Sequence, residues 1–427
     1  MPDHQSPEMN SRRDFIKKSS LGTLAGVLSM GEPLPVDVFP ENRIREAGQA
    51  PMNCAVIGFG LWGREIAATL LRNEDAKLAT VCDNYQTMLR RAERSLPGVA
   101  TTLEYAEVLN DPAIDAVFIA TPTHLHKQIV LDALSANKHV YCEAPIAASI
   151  EDARVIAHAA RDSDGLIFQS GILYRTEPQF RSVFGFIRSG AIGMAVMARA
   201  QYHVRESWRR ASASSERAAA LNWRLESDLS IGLAGEIGIQ QYDTARWILG
   251  DRPTAVSGFG NVMYWRDGRE IPDVVQTVME FPGGVNMMLD ISLVSSFDKM
   301  YDVFYGSDSS IVLRDGKAWM FKEVDAPMLG WEVYARRDAF YTETGIALLA
   351  NATKLDALSQ KATDVDPNAE TALFHALKAF TDNFIFGPYA PEADWKLSFE
   401  ATVIGIKANE AIVSRSRIEL TDELFEL

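Results

Sequence analysis

The sequence predicts an α/β domain followed by an α+β domain whose open sheet is mainly antiparallel. Three observations support this prediction. A glycine-rich turn joins a short apolar run to a helical pattern at residues 53–72, and further strand and helix patterns alternate up to about residue 165. From residue 195 onward, several segments alternate apolar and polar residues with the period of a strand. Strands that alternate with helices are typical of a parallel sheet, whereas strands that follow one another pair antiparallel.

The first thirty residues do not belong to this pattern. Arg12 and Arg13 precede Phe and Ile, and a mildly apolar run follows at residues 21–30. A basic segment before a short apolar segment indicates a targeting sequence, and the arginine pair is similar to the twin-arginine export signal. We therefore predict a signal at residues 1–31, a linker at 32–51 and a periplasmic or otherwise exported protein.

Composition excludes several classes of partner. The chain has 427 residues, which suggests two or three domains. The 42 basic and 57 acidic residues give a net charge of −15, which opposes binding to nucleic acid or to anionic lipid. No apolar run is long enough to span a membrane. The three cysteines, Cys54, Cys82 and Cys142, fall within predicted strands and are expected in the core.

The glycine turn predicts a dinucleotide site. A strand at residues 53–58 leads into Gly58-Phe59-Gly60-Leu61-Trp62-Gly63, and a helix pattern follows. The first glycine permits the tight turn, the second lets the backbone approach a diphosphate, and the third allows close packing of helix on strand. The free N–H groups at the start of the helix then face the diphosphate.

An acidic residue at the end of the second strand completes this pattern. Asp83 comes 20 residues after Gly63, where a carboxylate is expected to bind the ribose hydroxyls. Asn84 and Tyr85 follow it, with no basic residue next to it for a 2′-phosphate. The sequence therefore favours NAD over NADP.

Two later strands, at residues 116–120 and 138–142, end in polar and proline-containing segments. Ligands of open α/β sheets bind beyond the carboxyl ends of the strands. The residues expected to bind cofactor at these ends are Thr121, Pro122, His126, Glu143 and Pro145.

We place the dinucleotide-binding (Rossmann) domain at residues 52–165 and the substrate and oligomerisation domain at 166–427. The second domain shows strand patterns from residue 195 to residue 306 and a polar, irregular segment at residues 329–367. Helical patterns cover residues 369–386 and 395–414, and the last helix can pack back on the first domain.

The chain resembles the glucose–fructose oxidoreductase, inositol dehydrogenase and MocA family from about residue 52 to its end. The resemblance is carried by the glycine turn, Thr-Pro-x-x-x-His at 121–126, Glu-x-Pro at 143–145 and Gly-Glu-x-Gly-x-x-x-x-Asp at 235–243. It implies a sugar or cyclic polyol as substrate. It also implies a homodimer or homotetramer formed through the open sheet.

The chain departs from the family at its catalytic positions. The family's Lys is Ala144 here, its Asp is Glu236, and its His, four residues further along the helix, is Gln240. Glu236 keeps a carboxylate and is the first candidate for the base that removes a hydroxyl proton. Gln240 can exchange hydrogen bonds but cannot titrate.

Other titratable and polar groups are candidates for the same cleft. Tyr174, His203 and His126 are further possible bases, but the sequence favours other roles for them: packing for Tyr174, a strand-end surface position for His203 and a helix start near the cofactor for His126. Trp223 and Arg224 resemble a sugar-binding stretch, while Trp223 could instead pack in the core. Arg175 and Asp243 match further substrate positions of the family, and we expect no metal.

Three functions follow from the resemblance. The first is an NAD-dependent oxidoreductase that acts on a sugar or polyol. Its cofactor would be folded in before export and regenerated in place. The second is a redox-neutral glycoside hydrolase or lyase that oxidises, eliminates and then reduces. The third is a non-catalytic nucleotide-binding relative, suggested by Ala144 and Gln240.

Overall fold

The computed structural model describes residues 50–212, 214–340, 342–348 and 370–427. The first six strands are β1 (Met52–Ile57), β2 (Ala76–Cys82), β3 (Ala100–Thr102), β4 (Ala116–Ile119), β5 (His139–Cys142) and β6 (Phe168–Ser170). They form one parallel sheet in the order β3-β2-β1-β4-β5-β6. The predicted Rossmann-type α/β domain is confirmed, and its sheet continues to β6, beyond residue 165.

Helices cover both faces of this sheet. They are α1 (Leu61–Leu70), α2 (Gln86–Ser95), α3 (Tyr105–Asn110), α4 (His126–Ser135) and α5 (Ile150–Arg161). Cys54 and Val56 of β1 join the core on the α1 side, whereas Ala55 and Ile57 join the core that includes α4 and α5. Successive side chains of a strand point to opposite faces, which explains why residues 54–57 of β1 are all apolar.

The second sheet has ten strands among the described residues. They are β7 (Ala195–His203), β8 (Ala255–Asn261), β9 (Val274–Glu280), β10 (Asn286–Ser292), β11 (Met300–Gly306), β12 (Ser309–Arg314), β13 (Lys317–Lys322), β14 (Arg337–Phe340), β15 (Glu343–Leu348) and β16 (Ile418–Glu419). Their order is β14-β15-β13-β12-β11-β7-β10-β9-β8-β16. The pairing is antiparallel except between β7 and β10, which confirms the predicted sheet.

Further helices follow β6 in the chain. They are α6 (Pro178–Arg188), α7 (Ser215–Leu221), α8 (Gly232–Glu236), α9 (Ile239–Leu249), α10 (Ala372–Phe386) and α11 (Trp395–Ser414). Helices α6, α8, α9 and α11 contact the second sheet, whereas α10 packs on the first domain. The Tyr242 hydroxyl of α9 lies 2.8 Å from the Thr277 hydroxyl of β9. A Cβ at Gly258 would lie 2.6 Å from Ile412 of α11, so glycine permits the close approach of helix and sheet.

The last two long helices connect the domains. Leu377 and Phe380 of α10 join the core that β1 and α1 form, so residues beyond 370 complete the first domain. Helix α11 contacts α5 of the first domain and β8 and α8 of the second. The two domains therefore share packed helices, which fixes the cleft between their sheets.

The predicted irregular segment at residues 329–367 was wrong in its described part, because residues 337–340 and 343–348 form the edge strands β14 and β15. Short strands with charged residues give too little periodicity to be recognised. The predicted signal at 1–31 and the linker, except its last two residues, lie outside the described residues. Within the described ranges, no helix is both long and apolar enough to cross a membrane.

Candidate active site

The three glycines between β1 and α1 meet different constraints. Gly58 has a φ of +94°, and a Cβ there would lie 2.7 Å from the Ala120 carbonyl oxygen. A Cβ at Gly63 would lie 1.8 Å from the Gly58 oxygen. At Gly60 a Cβ would meet nothing within 4 Å. The protein backbone requires Gly58 and Gly63, whereas the space beside Gly60 is open to a ligand.

The first turn of α1 is left without a side-chain cap. Gly60 is the N-cap residue, and no acidic residue stands in the first turn. The leading N–H groups of a helix have no partner within it, so those of Leu61 and Trp62 can bind an anion. The side chain of Phe59 is buried and belongs to the core. This turn fits the diphosphate of a dinucleotide.

Asp83 holds the glycine turn in place. Its carboxylate accepts hydrogen bonds from the Phe59 N–H at 2.8 Å and from the Tyr85 N–H at 2.9 Å. Burial raises the pKa of Asp83, and the two backbone donors oppose the rise. Each carboxylate oxygen keeps a further acceptor position, which is the chemistry that ribose hydroxyls require.

The ends of β4 and β5 bring further cofactor candidates to the same edge. Glu143 is buried, and the absence of a Cβ at Gly171 makes room for it, since that atom would lie 2.5 Å from Glu143 Oε2. Burial raises the pKa of Glu143 to about 7, and the neighbouring Trp62 opposes the rise. Thr121 lies at the end of β4, and Pro122 precedes a 3-10 turn, Thr123–Leu125.

His126 does not offer a nitrogen to the cleft, which corrects its prediction as a cofactor ligand or base. Only 1% of the residue is exposed. Its Nδ1 lies 3.0 Å from the Pro145 oxygen, and its Nε2 lies 3.0 Å from the Thr121 oxygen. Burial lowers the pKa of His126 to about 4, so the ring is neutral at pH 7. His126 therefore positions the loops after β4 and β5.

Glu236 lies at the end of α8, facing the loop after β4. Its Oε2 accepts a hydrogen bond from the Thr123 hydroxyl at 3.2 Å and lies 3.6 Å from Arg224 Nε. Only 2% of its side chain is exposed, and burial raises the pKa of Glu236. A buried carboxylate with a raised pKa is a stronger proton acceptor than an exposed one, which suits a general base.

Arg224 is the cation of this site. Its guanidinium carbon lies 4.8 Å from the centroid of the Trp223 ring and 5.4 Å from that of Trp208. Trp223 is only 7% exposed, and the His124 ring lies against it at 5.7 Å between centroids. The structure therefore corrects Trp223 to a packing residue that supports Arg224, because so little of the side chain is exposed.

Gln240 does not face the cleft as a free amide. Its Nε2 donates to the Gly171 oxygen at 2.8 Å, and its Oε1 accepts from the Leu173 N–H at 3.0 Å. Both ends of the amide are used on the segment after β6. The predicted catalytic role is therefore corrected to a positioning role.

Arg175 and Asp243, both predicted to bind substrate, bind each other instead. Arg175 Nε and one terminal nitrogen lie 2.7 and 2.9 Å from the two oxygens of Asp243. The Asp243 side chain is 2% exposed, and Arg175 also lies over the Trp247 ring. A buried bidentate pair fixes both side chains, so the structure assigns them to joining the turn after β6 to α9.

Tyr174 and His203 use their polar atoms on other groups of the protein. The Tyr174 hydroxyl donates to the Met300 sulfur at 3.2 Å, its ring stacks on Phe180, and burial raises its pKa. His203 Nε2 lies 2.6 Å from Asp290 Oδ2. Asp290 and His203 belong to the strand positions that point away from the helices, so His203 lies on the opposite face of the sheet from Glu236. Both are corrected as candidate bases.

Three further residues belong to this site and were not predicted from the sequence. Thr123 and His124 lie inside the Thr-Pro-x-x-x-His motif, which therefore contained a signal, although only its ends were assigned a role. Trp208 comes from the loop between β7 and α7, and no motif marks it. Its backbone has a φ of +62°, which is rare for a bulky residue and is found where surrounding structure enforces it.

Four buried polar atoms around Glu236 have no hydrogen-bond partner among the described residues. They are Thr121 Oγ1, His124 Nδ1, Glu143 Oε1 and Glu236 Oε1. An unpaired buried polar atom costs about 1–3 kcal/mol, so native proteins keep such atoms where a ligand or water satisfies them. Their position beyond the ends of β4 and β5 fits the reactive end of a dinucleotide together with a hydroxylated substrate.

Comparison with known families matches both domains. Residues 52–171 match the profile described as "Oxidoreductase family, NAD-binding Rossmann fold". Residues 180–312 match the "GFO/IDH/MocA C-terminal domain".

The chain is also similar to individual proteins with sequences or structures of this kind. The chain is 28% identical to scyllo-inositol 2-dehydrogenase (NAD(+)) of Bacillus subtilis over 58% of this chain and 68% of that protein. It is 26% identical to 2,7-anhydro-N-acetylneuraminate hydratase of Escherichia coli, over 61% of this chain and 67% of that protein. A solved structure of levoglucosan dehydrogenase with NADH and L-sorbose has the same fold, with a TM-score of 0.69 and 19% identity over 87% of this chain and 100% of that chain.

Proposed function

The chain belongs to the Gfo/Idh/MocA family of NAD-binding oxidoreductases, and we propose that it removes hydride from a secondary alcohol of a sugar or cyclic polyol. The observation that carries this proposal is the buried carboxylate of Glu236 beside unpaired polar atoms at the ends of β4 and β5. The inositol dehydrogenase among its relatives supports a polyhydroxylated substrate.

Different residues of the cleft would bind the cofactor and transfer the proton. Gly60, the first turn of α1 and Asp83 would hold the diphosphate and ribose of NAD. When bound, NAD supplies the nicotinamide that accepts hydride. Glu236 Oε1, which is unpaired among the described residues, takes the proton of the substrate hydroxyl. Burial raises the pKa of Glu236, and Arg224, 3.6 Å from Oε2, opposes that rise and so favours the ionised form.

Export adds a requirement for the cofactor. If the arginine pair directs the folded protein through the twin-arginine route, NAD must be bound before export, because free NAD is not expected outside the cytoplasm. A cofactor that cannot leave must be restored at each turnover. The proposed enzyme therefore regenerates NAD in place, with a second substrate or within one reaction.

Redox-neutral elimination is the second candidate. The E. coli relative that is named a hydratase supports chemistry without net oxidation. In this scheme transient oxidation of one hydroxyl acidifies a neighbouring C–H, a glycosidic group leaves, and the product is reduced again. Glu236 would then serve both proton transfers, since Ala144 cannot titrate and Gln240 is bound to backbone.

The exposed face of the second sheet supports oligomerisation. Phe259, Val278 and Met288 lie on this face and are 63%, 37% and 52% exposed. Neighbouring apolar side chains on an open sheet are typical of a protein interface. We propose that two or four copies associate through this face.

Product analysis distinguishes the candidate reactions. The purified protein is incubated with a panel of free sugars, polyols and glycosides, and the products are identified by mass spectrometry and NMR. A ketosugar or lactone supports the oxidoreductase, whereas a released aglycone or unsaturated sugar supports elimination. No turnover of any compound, with cofactor present, would favour the non-catalytic relative.

Retention of cofactor is tested separately. Protein is purified from the periplasm of cells that export it, then denatured, and the released nucleotide is identified by mass spectrometry. We expect NAD(H) in near-stoichiometric amount. Folded protein without nucleotide would contradict the proposal that cofactor is exported with the chain.

A further inference from the structure

Arg217 belongs to the second domain, but its guanidinium lies on Tyr85 of the first domain, two residues after Asp83. Its guanidinium carbon is 4.2 Å from the centroid of the Tyr85 ring. Tyr85 follows β2 directly after Asp83 and Asn84, and its N–H is bound by Asp83. Arg217 is carried by α7, whose N-cap Ser214 accepts the Arg217 N–H at 3.2 Å. The contact therefore spans the cleft from one domain to the other.

The side chain of Arg217 has a donor that no described residue accepts. Its Nε is buried and has no hydrogen-bond partner among the described residues. Its charge opposes the effect of burial that raises the pKa of Asp83, so the two groups lie within electrostatic reach. Both Asp83 oxygens already accept backbone N–H groups. A buried, unused donor beside a carboxylate of the ribose site indicates that a ligand supplies the acceptor.

We propose that Arg217 binds the adenosine moiety of NAD and holds the cleft closed over it. A guanidinium presents donors in its plane and can stack through its faces. With one face on Tyr85, Arg217 can stack its other face on adenine or donate to a ribose hydroxyl. Arg217 does not change the expected preference for NAD over NADP, because the Asp83 carboxylate repels a 2′-phosphate.

This role explains how the protein retains its cofactor. Only the explanation of retention rests on the proposed function. A ligand bound by both domains leaves only when the contact between them opens. Removal of Arg217 should therefore increase the rate of dissociation more than it slows association.

The test measures release of cofactor rather than activity. Wild type, R217A, R217K and R210A are loaded with NADH and mixed with excess NAD⁺, and the loss of bound NADH fluorescence is followed. Arg210 lies on the preceding loop, is largely exposed and pairs with Glu206, so R210A removes the same charge away from the cleft. We expect R217A to release NADH about tenfold faster, R217K to be intermediate and R210A to match wild type.

A second ligand locates the contact. ADP-ribose has the adenosine but lacks nicotinamide, so R217A should accelerate its release by the same factor as that of NADH. Equal rates in wild type and R217A, or a change for NADH without one for ADP-ribose, would overturn the inference. If wild type itself releases NADH within seconds, the proposal that the protein retains its cofactor fails. A tenfold ratio between the release rates of R217A and wild type would still support the contact of Arg217 with the cofactor. R217Q provides the same comparison if R217A does not fold.

Discussion

Thr123 donates a hydrogen bond from its hydroxyl to Glu236 Oε2 at 3.2 Å. Thr123 follows β4 of the first domain, whereas Glu236 ends α8 of the second, so this bond joins the two sides of the cleft. It occupies one carboxylate oxygen, and the other has no partner among the described residues. The geometry gives Glu236 one oxygen for orientation and one for chemistry.

Replacing Glu236 by Gln should abolish turnover without loss of cofactor. Glutamine keeps the shape and the contact with Thr123 but cannot accept the hydroxyl proton, so we expect kcat to fall by about 10²–10⁴. Steady-state kinetics and the nucleotide content of the purified protein measure both effects. T123V is the matched variant, because it removes the bond and keeps the carboxylate, and its kcat should fall far less. Full activity in E236Q would place the base elsewhere.

Alanine at two positions of the glycine turn should affect different properties: NAD affinity at Gly60 and stability at Gly63. Gly60 has a φ of −66°, which alanine tolerates, and a Cβ there meets no protein atom within 4 Å. G60A should therefore unfold at the wild-type urea concentration and bind NAD at least tenfold more weakly. A Cβ at Gly63 would lie 1.8 Å from the Gly58 oxygen, so G63A should be strongly destabilised. Wild-type NAD affinity in folded G60A would contradict this assignment of the diphosphate.

Glu143 should make stability depend on pH. Its pKa is raised from 4.5 to about 7 by burial, so between these values the folded state holds a proton that the unfolded state has lost. The free energy of unfolding should therefore fall as pH rises from 5 to 8, and E143Q should lessen that fall by about 2–3 kcal/mol. Urea denaturation at both pH values, with nucleotide removed, measures the difference. An unchanged slope in E143Q would show that Glu143 does not titrate in this range.

Gln240 should be needed for stability rather than for proton transfer. Q240A leaves the Gly171 oxygen and the Leu173 N–H without their side-chain partner, so we expect a loss of about 2–4 kcal/mol in the free energy of unfolding. Q240E keeps the length and the acceptor but loses the donor, so it should restore only part of this loss. Urea denaturation of the three proteins measures these values. A loss of kcat in Q240A with wild-type stability would support the catalytic role of Gln240 that the sequence predicted.

The local parts of the site could be predicted from sequence. Gly58, Gly60, Gly63 and Asp83 lie within one βαβ unit, where spacing along the chain determines spacing in the structure. The partners of Arg175 and Gln240 could not be predicted in this way. Arg175 binds Asp243, and Gln240 binds the backbone of residues 171–173. Both contacts connect segments that only tertiary packing brings together.

By itself, the sequence determined the two domain types and the place of the glycine turn, because both follow from periodicity and short-range spacing. The tertiary structure decided which polar groups remain free for chemistry. Arg175, Asp243, His126 and Gln240 are bound within the protein. In the part of the chain that the structure describes, Glu236 keeps an unpaired oxygen and Arg217 an unpaired nitrogen. The physical reason is that a buried polar group must be satisfied, and the fold alone decides which groups find their partner inside the chain.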